Sequence, residues 1–181
     1  NPDLAVNPAK RLEEFEALIK RTHQNKLKLI IDIVPNHIAR KYEGKTNPKG
    51  VRDFGADDDV TVEYKRDNNF YYIPNQPFQV PTSENYKPLG GEKNPLIDGK
   101  FDENPAKWTG NGSRLAKPDF NDWYETVKIN YGIKPDGSKD FPELPAGFDK
   151  KDYKEHFAFW KDKSVPSSWK KFRDIALYWI D

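Results

Sequence analysis

The sequence predicts an α/β fold: a strand covered on both faces, amphipathic helices beside it, and a long, irregular, mostly β insertion. Three observations carry this. Residues 27–34 are apolar or aliphatic-stemmed at every position but Asp32, with little alternation, as in a buried strand of a parallel sheet. Residues 8–23 and 166–181 repeat apolar side chains at helical spacing. From residue 39 to 117, Pro and Gly recur at short intervals and no helical periodicity lasts three turns.

The elements follow in order. Asn7 and Pro8 suit an N-cap and first turn, and Leu12, Phe15, Leu18 and Ile19 then mark one helical stripe, with Glu13 and Glu14 early and Lys20 and Arg21 late. Asp32 interrupts the following strand, where an ionised carboxylate among Ile30, Ile31, Ile33 and Val34 requires a cation or several donors. Pro35 ends the pairing, and Asn36 and His37 follow at the carboxyl end, where α/β folds place ligand and catalytic groups. Short strands are expected at residues 60–64, 70–73 and 78–80, the last two joined by the turn Pro74-Asn75-Gln76-Pro77. Residues 123–131 read as a helix carrying Trp123, Val127 and Tyr131 on one face and stopped by Gly132. Residues 149–160 read as a short helix, and the last helix sets Trp169, Phe172, Ala176 and Trp179 or Ile180 on one stripe that seeks a sheet.

Composition bounds the function. Only 35% of the 181 residues are hydrophobic, yet 14% are aromatic, so the body is expected to be loop-rich and stapled by rings. Thirty basic and 29 acidic side chains leave a net charge of +1, which favours neither a nucleic-acid partner nor an anionic membrane. No run approaches the roughly 20 apolar residues that span a bilayer. The absence of Cys excludes disulfides and thiolate chemistry but suits reducing and oxidising compartments alike, so localisation stays open. Asp57-Asp58-Asp59 offers oxygens for calcium but lacks the spacing of an EF-hand loop, and a solvated turn is the expectation. Trp108, ahead of Gly110-Asn111-Gly112, suits either stacking on a sugar face or burial in the insertion's small core.

The hexapeptide Asp32-Ile33-Val34-Pro35-Asn36-His37 resembles the Asp-x-x-x-Asn-His signature at the third barrel strand of the α-amylase family of glycoside hydrolases. The helix before it resembles that family's second barrel helix. The aromatic insertion after it resembles the B domain, and Pro118-Asp119-Phe120-Asn121 resembles the Pro-Asp-Leu-Asn block that closes it, with Phe in place of Leu. The resemblance implies a partial (β/α)8 TIM-barrel segment: residues 1–38 as helix 2 and strand 3, residues 39–121 as the insertion, and residues 122–181 as an extended connection and barrel helix 3.

It further implies a retaining hydrolase of α-glucosidic bonds in starch or maltooligosaccharides, with a glucan transferase or α-1,6-glucosidase of the same family as variants. Such chemistry needs two carboxyl groups about 5–5.5 Å apart. By the resemblance these follow the fourth and fifth barrel strands, and the fourth strand should begin at Asp181, so the nucleophile and the acid/base are expected beyond that residue. The chain is then expected to be a catalytically silent piece with exposed apolar surface on Leu29, Ile31 and Ile33 and a tendency to self-associate. Asp32 is a support for the site through an Arg partner, His37 the residue that bonds substrate, and Asn36, Asp119 and Asn121 either calcium ligands or structural hydrogen-bonding groups. No organic cofactor is implied. The competing expectation is a non-catalytic α-glucan-binding module that stacks sugars on Trp108, Phe70, Tyr71 or Tyr72.

Overall fold

The computed structural model describes residues 5–44, 47, 49–81, 101–161 and 163–180. Part of the expected insertion, 82–100, lies outside them, and so does Asp181, where the fourth barrel strand was expected to begin. The chain divides into two compact units, residues 1–34 and 35–181.

The first unit is a capped helix and a tail. Asn7 Oδ1 accepts the N–H of Ala9 at 3.0 Å while the Glu14 carboxylate accepts those of Val6 and Asn7, each at 2.8 Å, so orphan donors at the helix start are met by side chains. A 3-10 turn, Pro8–Lys10, leads into α1, Arg11–Gln24, which ends where Asn25 bonds back to the Arg21 carbonyl and Lys26 turns left-handed at φ 59°. The expected strand at 27–34 is not formed. Those residues have no ladder partner among the described residues, and a strand exists only through bonds that a neighbour supplies. Asp32 is accordingly exposed rather than buried. Ile31 and Ile33 are exposed as expected, while Leu29 is half-buried.

The second unit holds the core. Strand β1, His37–Ala39, pairs antiparallel with β4, Thr126–Lys128, in the register His37 to Lys128 and Ile38 to Val127. Strand β2, Tyr72–Ile73, pairs with β3, Ala106–Lys107, and single bridges from Phe70 to Ile129 and Thr109 to Val127 join the two ribbons. The two-residue period of extended chain sorts the core. Phe70 and Tyr72 pack with Phe54, Val127 and Ile129, whereas Tyr71 and Ile73 pack with Phe78, Trp108 and Tyr124.

Three sequence expectations are corrected. Residues 123–131 form a turn and then β4, not a helix: Thr126, Val127 and Ile129 are β-branched, and Val127 and Ile129 face one core while Lys128 faces away. Residues 60–64 and 78–80 make no strand, although Phe78 and Gln79 donate their N–H groups to the carbonyls of Glu103 and Ala116. The Asp57-Asp58-Asp59 turn is only partly solvated. Asp57 pairs with Arg52, but Asp58 turns inward to accept the N–H groups of Asn69 and Phe70 and the Tyr72 hydroxyl. Burial raises the Asp58 carboxyl above its ordinary range, and those three donors oppose it.

Buried asparagines do much of the work that ladders do elsewhere. Asn130 bonds the carbonyls of Lys65 and Asn68 and the N–H of Gly132; Asn69 bonds the N–H of Gly55 and the hydroxyls of Ser167 and Ser168. Helices α2, Tyr153–Lys161, and α3, Ser167–Ile180, fall where expected. The first half of α3 docks on the core of Phe54, Phe70, Tyr72, Val127 and Ile129: Phe172 and Ile175 pack against it, and the Lys171 ammonium is held by the carbonyls of Arg52 and Asp53. Its far end, with Trp179 and Ile180, stays exposed.

Candidate functional site

Segments almost 90 residues apart in the chain meet at β1 and β4, and the site is built there. Arg40, directly after β1, donates its backbone N–H to the Glu125 carbonyl at 2.8 Å. Its guanidinium reaches the carbonyls of Tyr124, Lys107 and Thr126 and pairs with Glu103 at 2.5 Å, with side chains 0% and 6% exposed. That buried clamp holds β1, and with it His37, against β4.

Asn36 and His37 are brought together as the sequence suggests, in a turn that opens β1 rather than after a strand. The Asn36 amide is fully employed. Its Nδ2 donates to the Gly110 carbonyl at 2.9 Å and lies 3.1 Å from His37 Nδ1, while its Oδ1 accepts the ammonium of Lys128 at 3.1 Å. His37 Nδ1 thus faces the Asn36 amide nitrogen, an arrangement that suits a neutral ring protonated on Nε2. Among the described residues Nε2 has no hydrogen-bond partner. The His37 and Trp123 rings meet in an edge-type contact, with centroids 5.3 Å apart and planes at 65°, and Trp123 is 52% exposed.

Trp123 is placed by its backbone. Its N–H donates to Asn111 Oδ1 at 3.3 Å, and its carbonyl accepts from the N–H and hydroxyl of Thr126. Gly110 is required by close approach: a Cβ there would sit 2.1 Å from Thr126 Oγ1 and 3.1 Å from His37 Cβ.

The Pro-Asp-Phe-Asn block is organised by a residue that sequence reading passed over. Asp122 accepts the N–H of Asp119 at 3.0 Å and the amide of Asn111 at 2.8 Å, clasping the turn beneath Trp123. Burial pushes the Asp122 carboxyl up, but bonds from Asn111, Asp119 and Ser113 outweigh it and leave it below its ordinary value. Asp119 and Asn121 are exposed, and Asp119 serves the clasp through its backbone. A calcium ion at Asn36 would first have to displace the Lys128 ammonium, so Asn36 as arranged does not fit a calcium ligand.

Trp108 is corrected from the stacking role to the core role. It is 6% exposed, with Tyr71 stacked at 4.3 Å and the Arg114 guanidinium 4.2 Å from its ring centre, so neither neighbour leaves room for a sugar. Phe70, Tyr71 and Tyr72 are buried with it. Trp123 and Lys128 escaped sequence reading because both fell inside the supposed helix; the alternation of Thr126-Val127-Lys128-Ile129 was the signal that would have found them. A separate cleft of about 570 Å³ opens between Tyr42, Phe54, Phe70 and the Arg40–Glu103 pair, whose charges already satisfy one another. No protein-family model, curated protein or solved structure matches the chain. No helix among the described residues is long and apolar enough to cross a membrane.

Proposed function

We propose that this chain supplies the sugar-binding wall of an α-amylase-like retaining glycoside hydrolase acting on starch-type α-glucans. What supports the reading is the unengaged Nε2 of the half-buried His37 beside the half-exposed Trp123 ring, a hydrogen-bonding group adjoining an apolar aromatic surface. A pyranose matches that pair, since it presents hydroxyls at its rim and C–H groups on its face. His37 donates to a hydroxyl of the sugar on the non-reducing side of the cleaved bond, and such a bond accelerates hydrolysis only insofar as it tightens in the oxocarbenium-like transition state. Asp32, exposed, is open to the arginine partner that would make it a support for the site.

The test is affinity electrophoresis in glycogen-containing gels together with calorimetry against maltoheptaose. The chain is expected to be retarded and to bind, with Trp123→Ala and His37→Ala each weakening the oligosaccharide about tenfold, equivalent to about 1.4 kcal/mol. Absence of binding by the folded wild-type chain overturns the reading. Binding that survives both substitutions moves the sugar site elsewhere and favours an α-glucan-binding module.

A further inference from the structure

We infer that Lys128 is a positioning residue for His37: acting through Asn36, its ammonium selects the imidazole tautomer that presents Nε2–H to a sugar. The inference rests on the glucan-binding reading above. A carboxamide can be turned end for end with little change of shape, and only its neighbours decide which end is which. At Asn36 one end lies 3.1 Å from Lys128 Nζ and the other 2.9 Å from the Gly110 carbonyl oxygen. An ammonium only donates and a carbonyl only accepts, so one orientation satisfies both. The second amide hydrogen is then left for His37 Nδ1 at 3.1 Å. A ring nitrogen that receives a hydrogen bond keeps its lone pair, which moves the proton to Nε2, the nitrogen that remains unengaged among the described residues.

The register makes this reach possible. Lys128 stands directly opposite His37 in the β1–β4 ladder, and its backbone N–H is pinned to the Trp108 carbonyl at 3.1 Å. The Lys128 side chain therefore starts from a fixed point one residue away from its target. With a neutral side chain at 128, only the Gly110 carbonyl still opposes reversal of the amide, and the fraction that reverses offers its oxygen to an Nδ1–H tautomer instead. The device works as a three-part relay of ammonium, amide and imidazole.

Nitrogen NMR of the 15N-histidine-labelled chain, held alkaline enough to keep the rings neutral, tests this directly, because the chain has only three histidines. The wild type is expected to show His37 with an unprotonated Nδ1 and a protonated Nε2. Lys128→Met is expected to give a mixture of tautomers and to weaken maltoheptaose binding about fivefold, and Lys128→Arg, which keeps a charged donor, to restore the Nε2–H form. A wild-type His37 protonated at Nδ1 overturns the inference before any variant is made, as does a folded Lys128→Met chain with an unchanged tautomer. If the tautomer follows Lys128 while the wild type binds no oligosaccharide, the positioning role stands and the glucan reading falls.

Discussion

Glu103→Gln tests the clamp that holds the site. The Glu103 carboxylate accepts from Arg40 Nη1 at 2.5 Å, from the Lys107 N–H at 2.9 Å and from Lys107 Nζ at 3.1 Å. Arg40 is fully buried, and its desolvation lowers its pKa while the charge and hydrogen bond of Glu103 work against that loss. Glutamine keeps the size and one acceptor but removes the charge, leaving a buried guanidinium with neutral partners only. Taking away one member of a buried pair costs about 3–5 kcal/mol. The lower end applies here: the amide oxygen still accepts from Arg40, and Lys107, at 19% side-chain exposure, can turn its ammonium to water. The expected loss is about 3 kcal/mol in urea unfolding followed by tryptophan fluorescence. In an Arg40→Met background the same change should cost under about 1 kcal/mol, because no buried cation remains to be stranded. A loss under about 1 kcal/mol in the wild-type background, or the same loss in both, would refute the clamp.

The remaining predictions concern the walls of the site. Gly110→Ala should destabilise the chain by about 1–3 kcal/mol, because Thr126 Oγ1 is tied to the Trp123 carbonyl and cannot yield freely; adding Thr126→Ala should recover part of the loss in the same urea assay. Trp108→Ala should cost about 3–5 kcal/mol of stability yet leave the maltoheptaose affinity of the folded fraction unchanged, and a selective loss of binding would return Trp108 to the sugar site. The lowered Asp122 carboxyl stabilises the fold above its ordinary value of 3.8, and that contribution is lost as pH falls through the lower folded value. Unfolding free energies measured from about pH 5 to about pH 3 should therefore fall more steeply for the wild type than for Asp122→Asn. Parallel slopes would remove Asp122 from the clasp.

What the sequence determined by itself is what neighbours in the chain decide. The cap at Asn7, the helical stripes of α1 and α3, the turn at Pro74-Asn75-Gln76-Pro77 and the adjacency of Asn36 and His37 depend on groups within a few residues, and all are found. The tertiary structure decided the rest through partners far apart in the chain. Residues 27–34 have the composition of a strand, but a strand needs a neighbour's donors and acceptors. Val127 fits the helix face it would share with Trp123 and Tyr131 as well as the strand face it shares with Ile129, until β1 and the Phe70 bridge supplied the ladder. Trp108 and Trp123 look alike as letters. One is enclosed by Tyr71 and Arg114, while the other is turned outward by Asn111 and Thr126. Lys128 is separated from Asn36 by 92 positions, so its part in directing the His37 proton emerges only where β1 and β4 meet. Local bonding rules are written residue by residue, whereas burial and charge pairing belong to whichever segments the fold brings together.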